Sequence, residues 1–592
     1  MSQQIPLPDT TGLTEPERKL VLDAHAGRPC DLGGQTVSAS VLRDVIAEAR
    51  VGWSIGAQTL RLVNAGVFGS LNLDGMSSAK RLQFDNVVFR ADSGAEPSFT
   101  DHAQMTTFNA PAATDRDEPL NTTPVISAVD ADLTAFSLRE CRLLGSFTAD
   151  GLSLREELIF KACQIIGWFQ LEAVRATGGV CIYRCEVLAD VTAAPVDDTT
   201  FTPTVSERAA LAALNARGMI AGAGLLLDGT IVRGAVDLRE VKLASGLSAI
   251  ALSASEPPIA NNDNGDEQSA AVLLTAAEIT GSTDFSRSQL TGTLDLASAH
   301  IDGALLVSEA RIEPEGDGDA PAIRATSAVI ARGMSMADAQ ISGSIVANSA
   351  VIDGPLTFER SVIGSDNRGC SIDLSGSECR AALTMTKCKC VGVVRLDDLS
   401  VGQSATFQTS RFFGEQTALT IRGATISKDM CLDRCFLFGA LDLGACHIGR
   451  SALLRGVTLK VDEGICCSFV GTEIKRNCDL TQQSKLQGGC DFSQANIGGR
   501  LDLSSAHIIS SAIASRSNLQ SNSLNDLDTP SPSSRHGTDT QPASPDDRIA
   551  IACVQAKASS IHFGNTAETR PRGIVDLRGL SVRRFDDATA AW

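Results

Sequence analysis

Apolar residues return every eleven positions along most of this chain, and that spacing limits the possible folds more than any other feature. Leu290, Ile301 and Ile312 recur at eleven in LTGTLDLASAHIDGALLVSEARI. So do Ile341, Ile352 and Ile363, then Leu437, Ile448 and Leu459, then Leu486, Ile497 and Ile508. A short fixed period marks a solenoid, in which each unit buries the apolar face of its neighbour. Repeats also let 592 residues fold without the several globular cores that such a length otherwise requires.

Within a unit the pattern reads A-x-I-x-G-x-L-x-L-x-x. Ala299, Ile301, Gly303, Leu305 and Val307 alternate inward before a step of three reaches Ala310 and Ile312. Strict alternation is the signature of a strand, and the step of three turns a corner. Each unit reads as two short faces, one of five residues and one of six, with Gly at or near a corner, where its freedom in φ helps. Two units, about 22 residues, close a roughly square rung. A triangular rung of similar length fits the period as well. Rungs stack at about 4.8 Å, the ordinary interstrand distance. One Tyr, three Trp and 51 Gly agree with small, regularly stacked side chains.

The inward pairs Ala299/Ile301, Ala506/Ile508, Ala495/Ile497, Cys163/Ile165 and Ala65/Val67, with second-face pairs Leu294/Leu296, Leu441/Leu443 and Leu501/Leu503, resemble the unit of the pentapeptide-repeat family. The sixth residue on alternate faces makes the chain a divergent relative. It is similar to long actinobacterial repeat proteins that often carry the label membrane-associated oxidoreductase. The resemblance implies an all-β, right-handed parallel β-helix from about Leu60 to Val582, and it specifies a fold rather than an activity.

Thr14-Glu15-Pro16-Glu17 has capping-box spacing, so a helix is predicted over 18–26 ending at Gly27, with a second over 41–49. Residues 1–55 read as an N-terminal helical cap that covers the open end of a solenoid spanning 56–592. Segments 92–125, 193–215, 253–269, 313–320 and 509–548 break the register with Pro, Asp, Asn, Ser and Thr, and the last reads as disordered. Such insertions emerge at corners, often on one binding face. Together the five carry roughly 17 of the 19 net negative charges, which leaves the shaft nearly neutral. That distribution weakens the idea of a rod imitating duplex DNA, and the overall charge argues against direct nucleic-acid binding.

The cysteines Cys379, Cys388, Cys390, Cys435, Cys446, Cys466, Cys467, Cys478 and Cys490 include small-position and Ile-position residues that register points inward. They read as core residues, without the paired Cys-x-x-Cys spacing of zinc sites. His300, His447 and His507 each stand outward between two inward residues, on distant rungs. Asp295, Asp373, Asp442 and Asp502 recur outward between aliphatics and read as solubilising groups. No GxGxxG within a βαβ unit, Walker loop, HExxH or GxSxG occurs. The sequence therefore assigns no catalytic, cofactor-binding or metal residue and no cofactor.

It points first to a non-enzymatic scaffold that binds an unknown protein partner through its corner insertions. An acidic DNA mimic regulating an enzyme such as a topoisomerase is the alternative. A membrane-associated protein comes third, although neither a basic nor an apolar face is legible. The N-terminus shows no secretory pattern and no stretch of 18 apolar residues occurs, so a cytoplasmic location is expected.

Overall fold

Between positions 152 and 187 the buried residues come in pairs two apart: Leu152/Leu154, Leu158/Phe160, Cys163/Ile165, Phe169/Leu171, Val174/Ala176, Val180/Ile182 and Cys185/Val187. Successive pairs start alternately six and five residues further on, which is the five-plus-six unit predicted from the period. Each pair is the inward side of one short strand. Ser153 lies beside Arg175, Leu158 beside Val180 and Gln164 beside Glu186, each partner 22 residues on and parallel. Four strands pass before the chain returns to its own ladder, so the rung has four sides and the triangular alternative is excluded.

The computed structural model describes residues 8–50, 52–91, 124–189, 212–255, 270–314, 320–364, 369–510, 549–564, 566 and 569–586. The chain divides into two compact units, residues 1–306 with 310–316 and residues 307–309 with 317–592. Each is a parallel β-solenoid of the right-handed, all-β class. In the second unit Ile330 lies beside Ile352, again 22 residues apart.

Corners are of different kinds. At two of the four, a turn places its third residue in the left-handed region. Val174 N donates to Leu171 O at 3.4 Å across Ala173, whose φ is 55°. A positive φ at that place alone defines a type II turn. The turn repeats every eleven residues at Ala276, Arg287 and Ser298, and in the second unit at Ser327, Asp338, Ser349 and Arg360, all with φ between 55° and 60°. Gly was expected at the corners, yet these positions mostly carry other residues. Each left-handed residue costs about 1 kcal/mol, which the ladders on either side offset. Glycine is required at another corner instead. Gly439 has φ 115°, and a Cβ there would lie 2.7 Å from the carbonyl oxygen of Gly414.

The first unit opens with helices Glu15–His25 and Ala39–Ile46, which bury Leu20, Val21, Leu42 and Val45. Thr14 donates its amide and its hydroxyl to Glu17 Oε2 at 2.9 and 2.8 Å, so the predicted N-terminal stop is present. The cap is not purely helical, however. Strands Cys30–Asp31 and Thr36–Ser38 pair with Thr59–Phe68, setting Cys30 beside Leu62 and Val37 beside Val67. The first rung therefore begins inside residues 1–55, and the second helix interrupts it.

The interruptions are also narrower than their composition indicated. Pro124–Ser127, Leu214–Asn215, Ser253–Ser255, Arg311–Glu313 and His507–Ile509 are strands in register, because their inward residues keep the pairing of the ladder. Of the predicted insertions, residues 92–123, 193–211, 256–269, 315–319 and 511–548, the last within the segment read as disordered, lie outside the described residues. After the last, Val575 lies beside Ile551, as the restored repeat required.

Candidate functional site

In the first unit the strands that precede segments 92–123, 190–211 and 256–269 all belong to one ladder. It runs Phe89, Leu143, Ile165, Val187, Val232 and Ala254, each beside the next. The strands that follow the segments share the adjoining ladder of Ile126, Phe147, Phe169, Leu214, Val236 and Val272. All three segments therefore leave and rejoin at the same corner. Where no segment is inserted, that corner is a single glycine, as at Gly145 and Gly167 with φ 150° and 148°.

The second unit repeats the arrangement. Segments 365–368 and 511–548 leave the ladder of Ile363, Cys390, Phe412, Leu437, Leu459, Leu486 and Ile508. They rejoin the ladder of Ile372, Val394, Leu419, Leu441, Cys467, Cys490 and Ile551. Short excursions around Glu415 and around Asp462 and Glu463 widen the same corner, and both stretches are exposed. A corner tolerates this because lengthening a loop costs only about 0.6 kcal/mol per doubling, while both ladders stay intact.

The cysteines flagged from sequence point inward, and all 17 are free. Several occupy the fourth position of the type II turn, where Ser and Thr also occur, for one reason. The side chain donates to the carbonyl of the first turn residue one rung back: Cys388 to Phe358 at 3.0 Å, Cys435 to Phe407 at 2.6 Å, Thr472 to Leu443 at 2.5 Å and Ser410 to Met385 at 2.8 Å. Burial pushes Cys388 up to about 11 and Cys435 and Cys446 up to about 12. Such thiols stay protonated at neutral pH and are poor nucleophiles. In the first unit Cys141, Cys163 and Cys185 stack on successive rungs. Burial raises the outer two, whereas hydrogen bonds from both neighbours lower the middle one, which remains shut away from solvent.

The histidines face outward as predicted. His300 Nε2 lies 3.0 Å from Asp302, and His447 Nδ1 lies 3.0 Å from Glu473 on the next rung. Each is a single exposed pair. Among the described residues no group of three His, Cys, Asp or Glu is placed to hold a metal ion.

The aspartates differ from the expectation that they merely solubilise the faces. Asp295 Oδ1 accepts from Ala297 N at 2.9 Å, Asp373 from Ser375 at 3.0 Å, Asp442 from Gly444 at 2.9 Å and Asp502 from Ser504 at 3.0 Å. Each carboxylate caps the turn two residues ahead of it, as an Asx turn does. Asp295 and Asp502 are nearly buried in doing so. Arginines on neighbouring rungs complete the set: Arg395 pairs with Asp373 at 3.2 Å and Arg422 with Asp442 at 3.3 Å.

A shallow concavity of about 600 Å³ lies on the first unit, where Gly179, Gly224 and Gly246 leave the outward side low between Ile159, Cys181 and Leu226. Its ionisable groups are Glu157, Asp284 and the Cys181 thiol, which burial raises. That set offers no base beside a nucleophile. No helix among the described residues is long and apolar enough to cross a membrane. No family model matches the chain, and no curated protein matches it.

Proposed function

We propose that the chain is a non-enzymatic repeat scaffold that engages a protein partner through the segments inserted at one corner of its rungs. The observation that carries this reading is the convergence of the long interruptions within each unit, 92–123, 190–211 and 256–269 in the first and 511–548 in the second, on that corner. Insertions spread by drift alone would fall at any of the four corners, since each lies at the surface and tolerates lengthening. A single row of them presents several segments to one partner, so that weak contacts add through effective concentration. The free thiols fit a reducing, cytoplasmic setting.

The reading as a DNA mimic is the weaker one. The carboxylates that recur along the faces are committed to their own turns and to arginines, which lowers the field they present. Affinity capture from the host lysate, with full-length chain against a chain whose inserted segments are shortened to single glycines, tests the scaffold. A partner recovered only with the intact chain supports it. A partner recovered equally by both chains contradicts it.

A further inference from the structure

In the second unit, one side of the ladder that leads into the insertion corner has an unusual outward surface. Its strands set Lys389, Arg411, Phe436, Thr458 and Lys485 in one row, in register. Val391, Phe413, Phe438, Lys460 and Gln487 form the second row. The five rungs span roughly 20 Å at ordinary interstrand spacing. No carboxylate stands on either row. Glu415, Asp462 and Glu463 lie beyond it, at the corner itself.

The three phenylalanines are half-buried and close together. The rings of Phe413 and Phe436 are 6.1 Å apart, Lys389 Nζ sits 5.9 Å from the centre of Phe413, and Lys460 Nζ sits 5.6 Å from that of Phe438. Among the described residues none of Lys389, Arg411, Lys460 and Lys485 reaches a carboxylate, whereas Arg395, Arg422 and Arg455 of the same unit each hold an aspartate. This face thus combines unpaired cations with accessible rings.

We propose that it binds single-stranded nucleic acid, with bases stacking on Phe413, Phe436 and Phe438 and phosphates meeting Lys389, Arg411, Lys460 and Lys485. A sheet face of rings flanked by cations suits unpaired bases, whose planes are free to stack, better than duplex, whose bases are enclosed. Every strand of the face already has a partner on each side, so a peptide cannot join it as an added strand. Two of the three rings carry an ammonium group above them, which leaves no apolar wedge to enter a bilayer. The net charge of −19 does not decide the matter, because charges further off than about 8 Å are largely screened at physiological salt. The field at the face is set by its own cations.

The test is fluorescence anisotropy of labelled 20-mers of deoxythymidine and uridine with the full chain, across salt concentrations. The proposal expects saturable binding at about 0.15 M salt, where the distant carboxylates are screened. The log-log slope in salt should be about −3, near −0.7 for each of four phosphate contacts. The quadruple variant Lys389→Glu, Arg411→Glu, Lys460→Glu, Lys485→Glu should lose binding. Phe436→Ala with Phe438→Ala should weaken it roughly tenfold, whereas Lys475→Glu with Arg476→Glu, two exposed cations elsewhere in the unit, should leave it unchanged. Circular dichroism confirms that each variant is folded. No binding at about 0.15 M salt, equal binding by the quadruple variant, or equally tight binding of polyglutamate or of phosphatidylserine vesicles would each overturn it.

Discussion

Ser410 Oγ donates to the carbonyl oxygen of Met385 at 2.8 Å, 25 residues back and one rung below. It also accepts the amide of Cys388 at 3.0 Å, so one buried hydroxyl closes both ends of a turn in the neighbouring rung. The same bridge is built by Ser288, which donates to Ala249 at 2.7 Å and accepts from Leu252 at 3.2 Å. Ser410→Ala removes the bridge and leaves buried groups unpaired. It should cost about 1–3 kcal/mol, read from the urea midpoint. Ser410→Cys, which installs the residue found at Cys388 and Cys435, should cost less than half as much.

The left-handed turn positions give the opposite sign. Ser298 sits at φ 55° without being glycine. Ser298→Gly relieves that conformation but frees the unfolded chain, so the net gain should stay below about 1 kcal/mol. Ser298→Val, which is β-branched, should destabilise. Thermal unfolding of the two variants ranks them, and a Val variant as stable as the Gly variant would contradict the turn assignment.

Gly439 tests the corner that glycine alone can make. A Cβ there meets the Gly414 carbonyl at 2.7 Å and the Ala418 amide at 2.9 Å, in addition to the strain of φ 115°. Gly439→Ala should therefore cost at least about 2 kcal/mol. Local hydrogen exchange around Leu437 and Leu441 should report the loss first.

Thiol chemistry should be sparse. Of the 17 cysteines only Cys181 and Cys370 are not fully buried. Burial raises both, Cys370 to about 11, so the reactive thiolate is the minor form at neutral pH. Alkylation of the native protein should stop at these two. Its rate at Cys370 should rise about tenfold per pH unit from 7 to 10. Rapid labelling at pH 7 of any other cysteine, read by mass spectrometry, would contradict the packed interior.

Much of the fold was legible because it rests on periodicity. Ala299, Ile301, Leu305 and Val307 are all buried, as their spacing required. The five-plus-six step and the 22-residue rung follow from the same pattern. Local patterns hid the rest. Cys30 and Val37 begin the first rung too close to helical sequence to show a period. Asp295 reads as outward polarity, and its hydrogen bond to Ala297 depends on a turn whose glycine is missing. The cationic and aromatic face was readable in principle from KCV, RFF, FLF and TLK, which follow the last residue of the turn at the same register. Only knowledge of which ladder each belongs to brings them together.

The central claim is that one corner carries the insertions while the ladders are indifferent to them. Replacing residues 189–212 by one glycine, which leaves Leu188-Gly-Ala213-Leu214 where the preceding rung has Ile166-Gly167-Trp168-Phe169, tests it by circular dichroism and thermal unfolding. The account predicts an unchanged β spectrum and a thermal midpoint equal to or slightly above that of the full chain, since a long loop becomes a short one. Loss of the β signal, or a midpoint lowered by ten degrees or more, would mean that the segment holds the rungs together and that the corner is not a neutral point of insertion.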